Sequence, residues 1–284
     1  MDIDVVVNER ELLGECPLWD ERTRTLWWVD ILSPSLKKLS PSGRPETIRL
    51  DEAMGSFAFR EKGGLLAAMK SGLYFFDGEK REAIGKPESH LPQNRFNDGR
   101  CDRDGRFWSG TMMEAMREPV GSLYRIGADR SCVRKRTGIT VPNSLAWSPD
   151  GRTMYFADSP RRTVWAFDYD RASGEQSNER VFVTTQAGFP DGSCVDADGC
   201  LWNAEYGGAR VVRYTPAGKV DRVVELPVKN PTCCAFGGGK LDVLYITTAA
   251  QRLNEAQLKE QPLAGSLLAI RPGSTGLAES RYAG

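Results

Sequence analysis

The chain has 284 residues, with 38 basic and 38 acidic side chains and therefore no formal net charge. That balance gives no electrostatic case for nucleic acid or an anionic membrane, and no apolar stretch approaches a membrane span. Seven cysteines without CxxC spacing speak against a small disulfide framework, and a single histidine leaves a cysteine nucleophile unsupported.

The N-terminal "MDIDVVVNERELLGE" carries acids at positions 2 and 4 and lacks an apolar core of signal-peptide length. Reduced thiols and a cytoplasmic protein are expected. "IDVVV" predicts a strand that pairs with "GSLLAIRPG" near the other end of the chain. "ECPLWDERTRTLWW" from Glu15 predicts strand, turn, strand, with a turn that lacks glycine. "SFAFREKGGLLAAM" from Ser56 repeats the unit through Gly64, with its register open by one residue. "NDGRCDRDGRFW" from Asn97, "NSLAWSPDGRTMYF" from Asn143 and "DGSCVDADGCLW" from Asp191 are closer copies. In each, the glycine of an Asp-Gly pair follows eight residues later, at Gly105, Gly151 and Gly199. Asp-Gly is a strong hairpin signal because both residues tolerate positive φ. An aromatic side chain comes next: Trp108, Tyr155 and Trp202. "TCCAFGGGKLDVLYIT" from Thr232 is a sixth unit with a longer turn.

Second hairpins follow several units, in "GSLYRIGADRSCVRKRTG", "TVWAFDYDRASGEQSNERVFV" and "ARVVRYTPAGKVDRVVEL". Alternation in "RVVRY" suits half-buried strands. Helical periodicity is confined to "LNEAQLKEQ", 253–261. The units begin at 15, 56, 97, 143, 191 and 232, steps of 41 to 48 residues. Strand-rich repeats of this length predict an all-β, six-bladed β-propeller formed by 1–284 as one domain. A β-sandwich is the main alternative, but it leaves the repeat unexplained.

In a propeller the first strand of each blade lines the central channel. Equivalent repeat positions therefore converge on one axis. Glu15, Ser56, Asn97, Asn143, Asp191 and Thr232 all carry side-chain oxygen. Wet channel ends explain the serine and the threonine. Two carboxylates on one ring are costly without a positive charge between them. Oxygen donors alone suit a hard divalent cation, so a metal site on the channel axis is expected. Ca²⁺ leads, with Mg²⁺, Mn²⁺, Zn²⁺ and iron as alternatives. His90 sits outside the repeat positions and reads as a surface-loop residue.

"GECPLWD", "RFNDGRCDRDGRFWSGTM", "VPNSLAWSPDGRTMYFADS", "FPDGSCVDADGCLWNAEYGG" and "PTCCAFGG" together resemble the gluconolactonase/regucalcin family (senescence marker protein-30, gluconolactonase and luciferin-regenerating enzyme). The resemblance runs from about Glu9 to Leu268. It implies a six-bladed propeller with one catalytic divalent metal on the axis and hydrolysis of a sugar lactone. Carried over by motif, it implies metal ligation by Glu15, Asn143 and Asp191, with Asp191 also the general base. It implies substrate contacts from Arg95, Asn97 and Glu114. Cys16 stands where the family's first motif commonly has glycine, and only local packing consequences are expected.

The expected chemistry is attack of water on the lactone carbonyl. The cation stabilises charge on the carbonyl oxygen, Asp191 takes the proton, and Arg95 and Asn97 hold sugar hydroxyls or the oxyanion. A small-molecule sugar lactone is the expected partner, with no nucleic acid and no membrane, and the chain is expected to be a monomer or weak homodimer. A non-catalytic calcium-binding propeller, or a metal-dependent esterase or phosphotriesterase of related fold, is the alternative. The WD40 type lacks its Gly-His and Trp-Asp signatures.

Overall fold

The computed structural model describes residues 2–41 and 43–284. Six four-stranded antiparallel sheets form a closed ring. Blade one contains Gly14–Asp20, Thr25–Asp30, Ser35–Leu39 and Pro45–Arg49, in that order from the axis outwards. The innermost strands of blades two to five are Met54–Phe59, Asn94–Cys101, Pro142–Trp147 and Phe189–Val195. Blade six is built from Pro231–Gly237, Val243–Thr248 and Leu267–Ile270, and its outermost strand is the N-terminal Asp4–Val7. Val5 pairs with Leu268, so the ring closes with strands from the two ends of the chain. All six repeats and this closure agree with the sequence expectation.

The turns explain the repeat spacing. Gly105, Gly151 and Gly199 adopt φ of 79°, 71° and 82°. Blade one, which lacks a glycine there, places Arg24 at φ 54° instead. The turn acids are structural. Asp196 Oδ1 accepts from the amides of Asp198 and Cys200, and its Oδ2 accepts from Trp202 Nε1 at 2.9 Å. One carboxylate thus satisfies both the turn and the buried indole that follows it.

The core lies between blades rather than within one central mass. Apolar clusters fill the six inter-blade layers, for example Val29, Leu36, Phe57 and Tyr74 between blades one and two. The expected helix is present as Glu255–Glu260, with Asn254 and Gln257 forming a capping box.

One element had no sequence signal. After Ile270 the chain runs without strand across the end of the ring that carries the hairpin turns. Ala197 N donates to Thr275 O, Gly276 N to Leu241 O, Tyr282 N to Phe59 O and Ala283 N to Gly105 O. Glu279 pairs with Arg100 in the channel, and Arg281 pairs with Asp20. Tyr282 is fully buried and its hydroxyl donates to Gly127 O at 2.6 Å. The tail closes this end of the channel and ties five blades together.

Candidate active site

The inner strands do not run straight past the axis. Each carries a one-residue bulge within about a residue of the repeat's first letter: Glu15/Leu18, Met54/Ser56, Phe96/Gly99, Asn143/Ala146, Pro190/Ser193 and Pro231/Cys233. A bulge re-aims the side chain beside it. In blades one and four the residue after the first letter is left-handed, Cys16 at φ 50° and Ser144 at φ 59°. Neither is glycine, so both positions hold backbone strain. The consequence of Cys16 is therefore conformational as well as a matter of packing.

At the open end of the channel the strand starts surround a cavity of about 360 Å³. Glu15, Arg95, Asn97, Asn143 and Asp191 all line it. They come from blades one, three, four and five, and all five are buried. Glu15 and Asp191 face each other closely enough to share a hydrogen bond. Burial pushes the Glu15 carboxyl up to about 8, with Asp98 adding repulsion. Burial, then Glu15 and Asp98, hold Asp191 well above the usual carboxylate range. Cys16 N partly offsets this by donating to Glu15 Oε2 at 3.1 Å.

The amide of Asn143 is fixed from both sides. Its Nδ2 donates to Ser159 Oγ at 2.8 Å, and its Oδ1 accepts from Asn97 Nδ2 at 3.0 Å. Ser159 in turn donates to Pro190 O, one residue before Asp191. Arg95 Nη1 donates to Asn97 Oδ1 at 2.7 Å and Phe96 O at 2.9 Å. Beneath Asp191, Ser144 Oγ and Asn203 Nδ2 both donate to its backbone carbonyl. The backbone that carries the Asp191 carboxylate is therefore pinned by two neighbouring side chains.

Glu114 lies outside the cavity lining, half-exposed, and pairs with Lys70 at 2.8 Å. Its charge still acts on Arg95. Ser56 and Thr232, the other two first letters, bond to Ser109 Oγ and to Gly14 O. His90 is exposed on its loop, and all seven cysteines are free. Sequence reasoning missed Asp98, whose Oδ2 accepts from Leu145 N at 2.9 Å. It also missed Ser159, Tyr206 and Arg252, none of which occupies a repeat first letter. Asp98 had one available signal, its place beside Asn97 at a bulge.

The oxygen set fits a divalent cation. The Glu15 and Asp191 carboxylates and the Asn143 amide line one cavity and offer it oxygen donors, and among the described residues Arg95 is the positive charge that acts on both acids. Arg95 offers guanidinium donors to a polar ligand on this side of the cavity, whereas Asn97 gives its amide hydrogens to Pro142 O and Asn143 Oδ1 and presents its oxygen, shared with Arg95.

Residues 13–250 match the sequence model of the SMP-30/Gluconolactonase/LRE-like region. The chain is 37% identical to a 6-deoxy-6-sulfogluconolactonase of Pseudomonas putida, covering 98% of each. It is 39% identical to an L-arabinolactonase of Azospirillum brasilense, covering 99% of this chain and 95% of the other. The fold superimposes on a calcium-binding protein, regucalcin, from Agrobacterium tumefaciens with TM-score 0.94 and 32% identity, over 98% and 96% of the two chains.

Proposed function

The chain belongs to the SMP-30/gluconolactonase/LRE-like family, and from that premise we propose that it hydrolyses a sugar lactone to the aldonic acid with the help of a divalent cation. The observation that carries this reading is the meeting of Glu15, Asn143 and Asp191 beside Arg95 and Asn97 in one cavity. Relatives named for lactone hydrolysis support the substrate class.

Glu15, Asn143 and Asp191 would hold the cation, Ca²⁺ being the first candidate. When bound, it supplies Lewis-acid polarisation of the lactone carbonyl and counter-charge for the acid pair. The remaining chemistry belongs to the protein. Arg95 is held in place by Asn97 Oδ1 and Phe96 O, so it can hold a sugar hydroxyl or the developing oxyanion without reorganising. Asp191 takes the proton of the attacking water on a carboxylate oxygen. The tetrahedral carbon then expels the ring oxygen, which receives that proton, and the open hydroxy acid results. Met112, Met116 and Phe189 line the cavity wall and give the ring carbons an apolar face.

The test is base uptake in a pH-stat with aldonolactones. Activity should vanish in chelator and return with Ca²⁺, Mn²⁺ or Zn²⁺. Hydrolysis that survives exhaustive chelation removes the cation from the reading. Absence of hydrolysis with every cation removes the lactonase. Calcium binding without turnover is the second reading, supported by the regucalcin likeness. It predicts tight Ca²⁺ binding and no lactone loss.

A further inference from the structure

The two walls of the cavity are not equivalent. On one, Arg95 gives a single nitrogen, Nη1, to Asn97 Oδ1 and Phe96 O. The other is formed by Tyr206, Gln251 and Arg252. Among the described residues Arg252 makes no ion pair, and its guanidinium touches only the thioether of Met116, at 3.4 Å. A thioether is a weak acceptor, so nearly all of a five-donor fork is left over. The neighbouring cations differ. Lys70 pairs with Glu114, Arg161 with Asp158, and Arg162 lies over the Phe189 ring at 4.2 Å.

The backbone that carries Arg252 is held firmly. Ala249 N, Ala250 N and Gln251 N donate to Asn230 O, Glu11 O and Leu12 O, and Asn230 Nδ2 donates to Gln251 O. Arg252 itself adopts φ 61°. Such a conformation is unfavourable for arginine and persists where its surroundings impose it. Beside it, the Tyr206 hydroxyl is buried next to Gln251 and has no partner in hydrogen-bonding geometry. A buried hydroxyl without a partner is uncommon and points to something that fills it.

We propose that Arg252, Gln251 and the Tyr206 hydroxyl form a subsite for an anionic group on the substrate, at the end of the sugar remote from the lactone carbonyl. This rests on the lactonase reading and narrows it to acidic sugar lactones. Carboxylate, sulfonate and phosphate share the required chemistry: a planar or tetrahedral set of oxygens that accepts from a guanidinium in pairs.

The experiment compares kcat/KM for a neutral aldonolactone with analogues bearing a C6 carboxylate, sulfonate or phosphate. The wild type should prefer at least one anionic lactone by about tenfold or more, and that arm names the group. Arg252→Gln should collapse the anionic-to-neutral ratio by roughly tenfold to a hundredfold, and Arg252→Lys should restore part of it. The ratio cancels any general loss of activity. Raising salt should raise KM for the anionic substrate alone. A wild type that prefers the neutral lactone, or a ratio unmoved by Arg252→Gln, overturns the subsite and leaves the lactonase standing. If no lactone is hydrolysed, calorimetry with the non-hydrolysable lactams, neutral and C6-carboxylated, decides instead. Equal affinity for the two overturns the subsite, and preference for the acid that Arg252→Gln abolishes sustains it.

Discussion

Asn97 and Asn143 stand 46 residues apart in the chain, yet Asn97 Nδ2 donates to Asn143 Oδ1 at 3.0 Å across the boundary of blades three and four. The residue proposed to touch the sugar therefore also steers a residue proposed to hold the cation. Arg95 touches Asn97 but not Asn143.

The two variants should separate on that account. Asn97→Ala should weaken cation binding severalfold as well as lactone turnover. Arg95→Ala should lower kcat/KM while moving cation affinity less. Calorimetric titration of Ca²⁺ into each variant is the measurement. Equal cation affinities for wild type and Asn97→Ala would show that Ser159 alone holds the Asn143 amide.

Asp191→Asn keeps the shape and an oxygen donor but removes the charge and the base. At saturating cation, kcat should fall by roughly 10²–10⁴. The backbone contacts from Ser144 and Asn203 go to the carbonyl, so the fold should survive. Circular dichroism and a melt establish that, and activity within a few-fold of wild type would remove Asp191 from catalysis.

The acid pair makes stability depend on pH in the direction opposite to ordinary salt-bridged carboxylates. Glu15 is raised from 4.5 to about 8, and Asp191 is raised as well. A carboxyl whose folded pKa exceeds its unfolded value binds the proton more tightly in the native state. The stability this adds is full below about pH 4.5 and is lost as pH climbs through about 8. In chelator, Tm should therefore fall between pH 5 and pH 8. Glu11, raised to about 7 chiefly by burial, contributes with the same sign. The Glu15→Gln variant separates the two, and its profile should be flatter. Added Ca²⁺ should flatten the wild-type profile too. A wild-type Tm that rises over this range contradicts the pairing.

Cys16 at φ 50° tests the bulge. Valine is nearly isosteric, but its branched Cβ resists left-handed backbone. Cys16→Val should cost about 1–3 kcal/mol and weaken cation binding through Glu15. Cys16→Gly removes the strain and a small buried side chain together, and should stay within about 1 kcal/mol of wild type. Denaturant melts of both variants decide. If valine is tolerated as well as glycine, the bulge does not constrain the site.

The terminal tail should be worth more than its lack of secondary structure suggests. Tyr282 is fully buried beside Phe75. Tyr282→Ala should cost about 3–5 kcal/mol, and Tyr282→Phe about 1 kcal/mol for the bond to Gly127 O. Chemical denaturation is again the readout, and a loss below 1 kcal/mol for alanine would make the tail a loose cover.

What the sequence revealed follows from what repeats. Gly105, Gly151 and Gly199 recur because each hairpin needs positive φ, and the spacing carried the whole ring with it. Glu15, Asn97, Asn143 and Asp191 were found because they share one place in that spacing. Ser159, Tyr206 and Arg252 lie at or after the ends of the second strands of blades four, five and six, where the connections to the third strands differ in length from blade to blade, so no spacing aligned them. The tail from Thr275 onward reaches four blades by scattered backbone bonds and a fifth through Arg281 and Asp20, and has no period to detect. Pro45–Arg49 and Arg81–Gly85 are short, mostly exposed outer strands, whose polar faces blur alternation.

The bulge present in every inner strand belongs to the repeating unit and not to any one reaction. It gives each of the six blades a socket of similar build, and four of them open on the cavity. Two are filled with hydroxyls that fasten one wall to another, Ser56 to Ser109 and Thr232 to Gly14. The other four hold the acids and amides. A change of one side chain in a socket alters the chemistry at the centre while leaving the blade that carries it intact. Such a ring can acquire a new reaction by single substitutions, because the frame that aims each side chain is already built six times over.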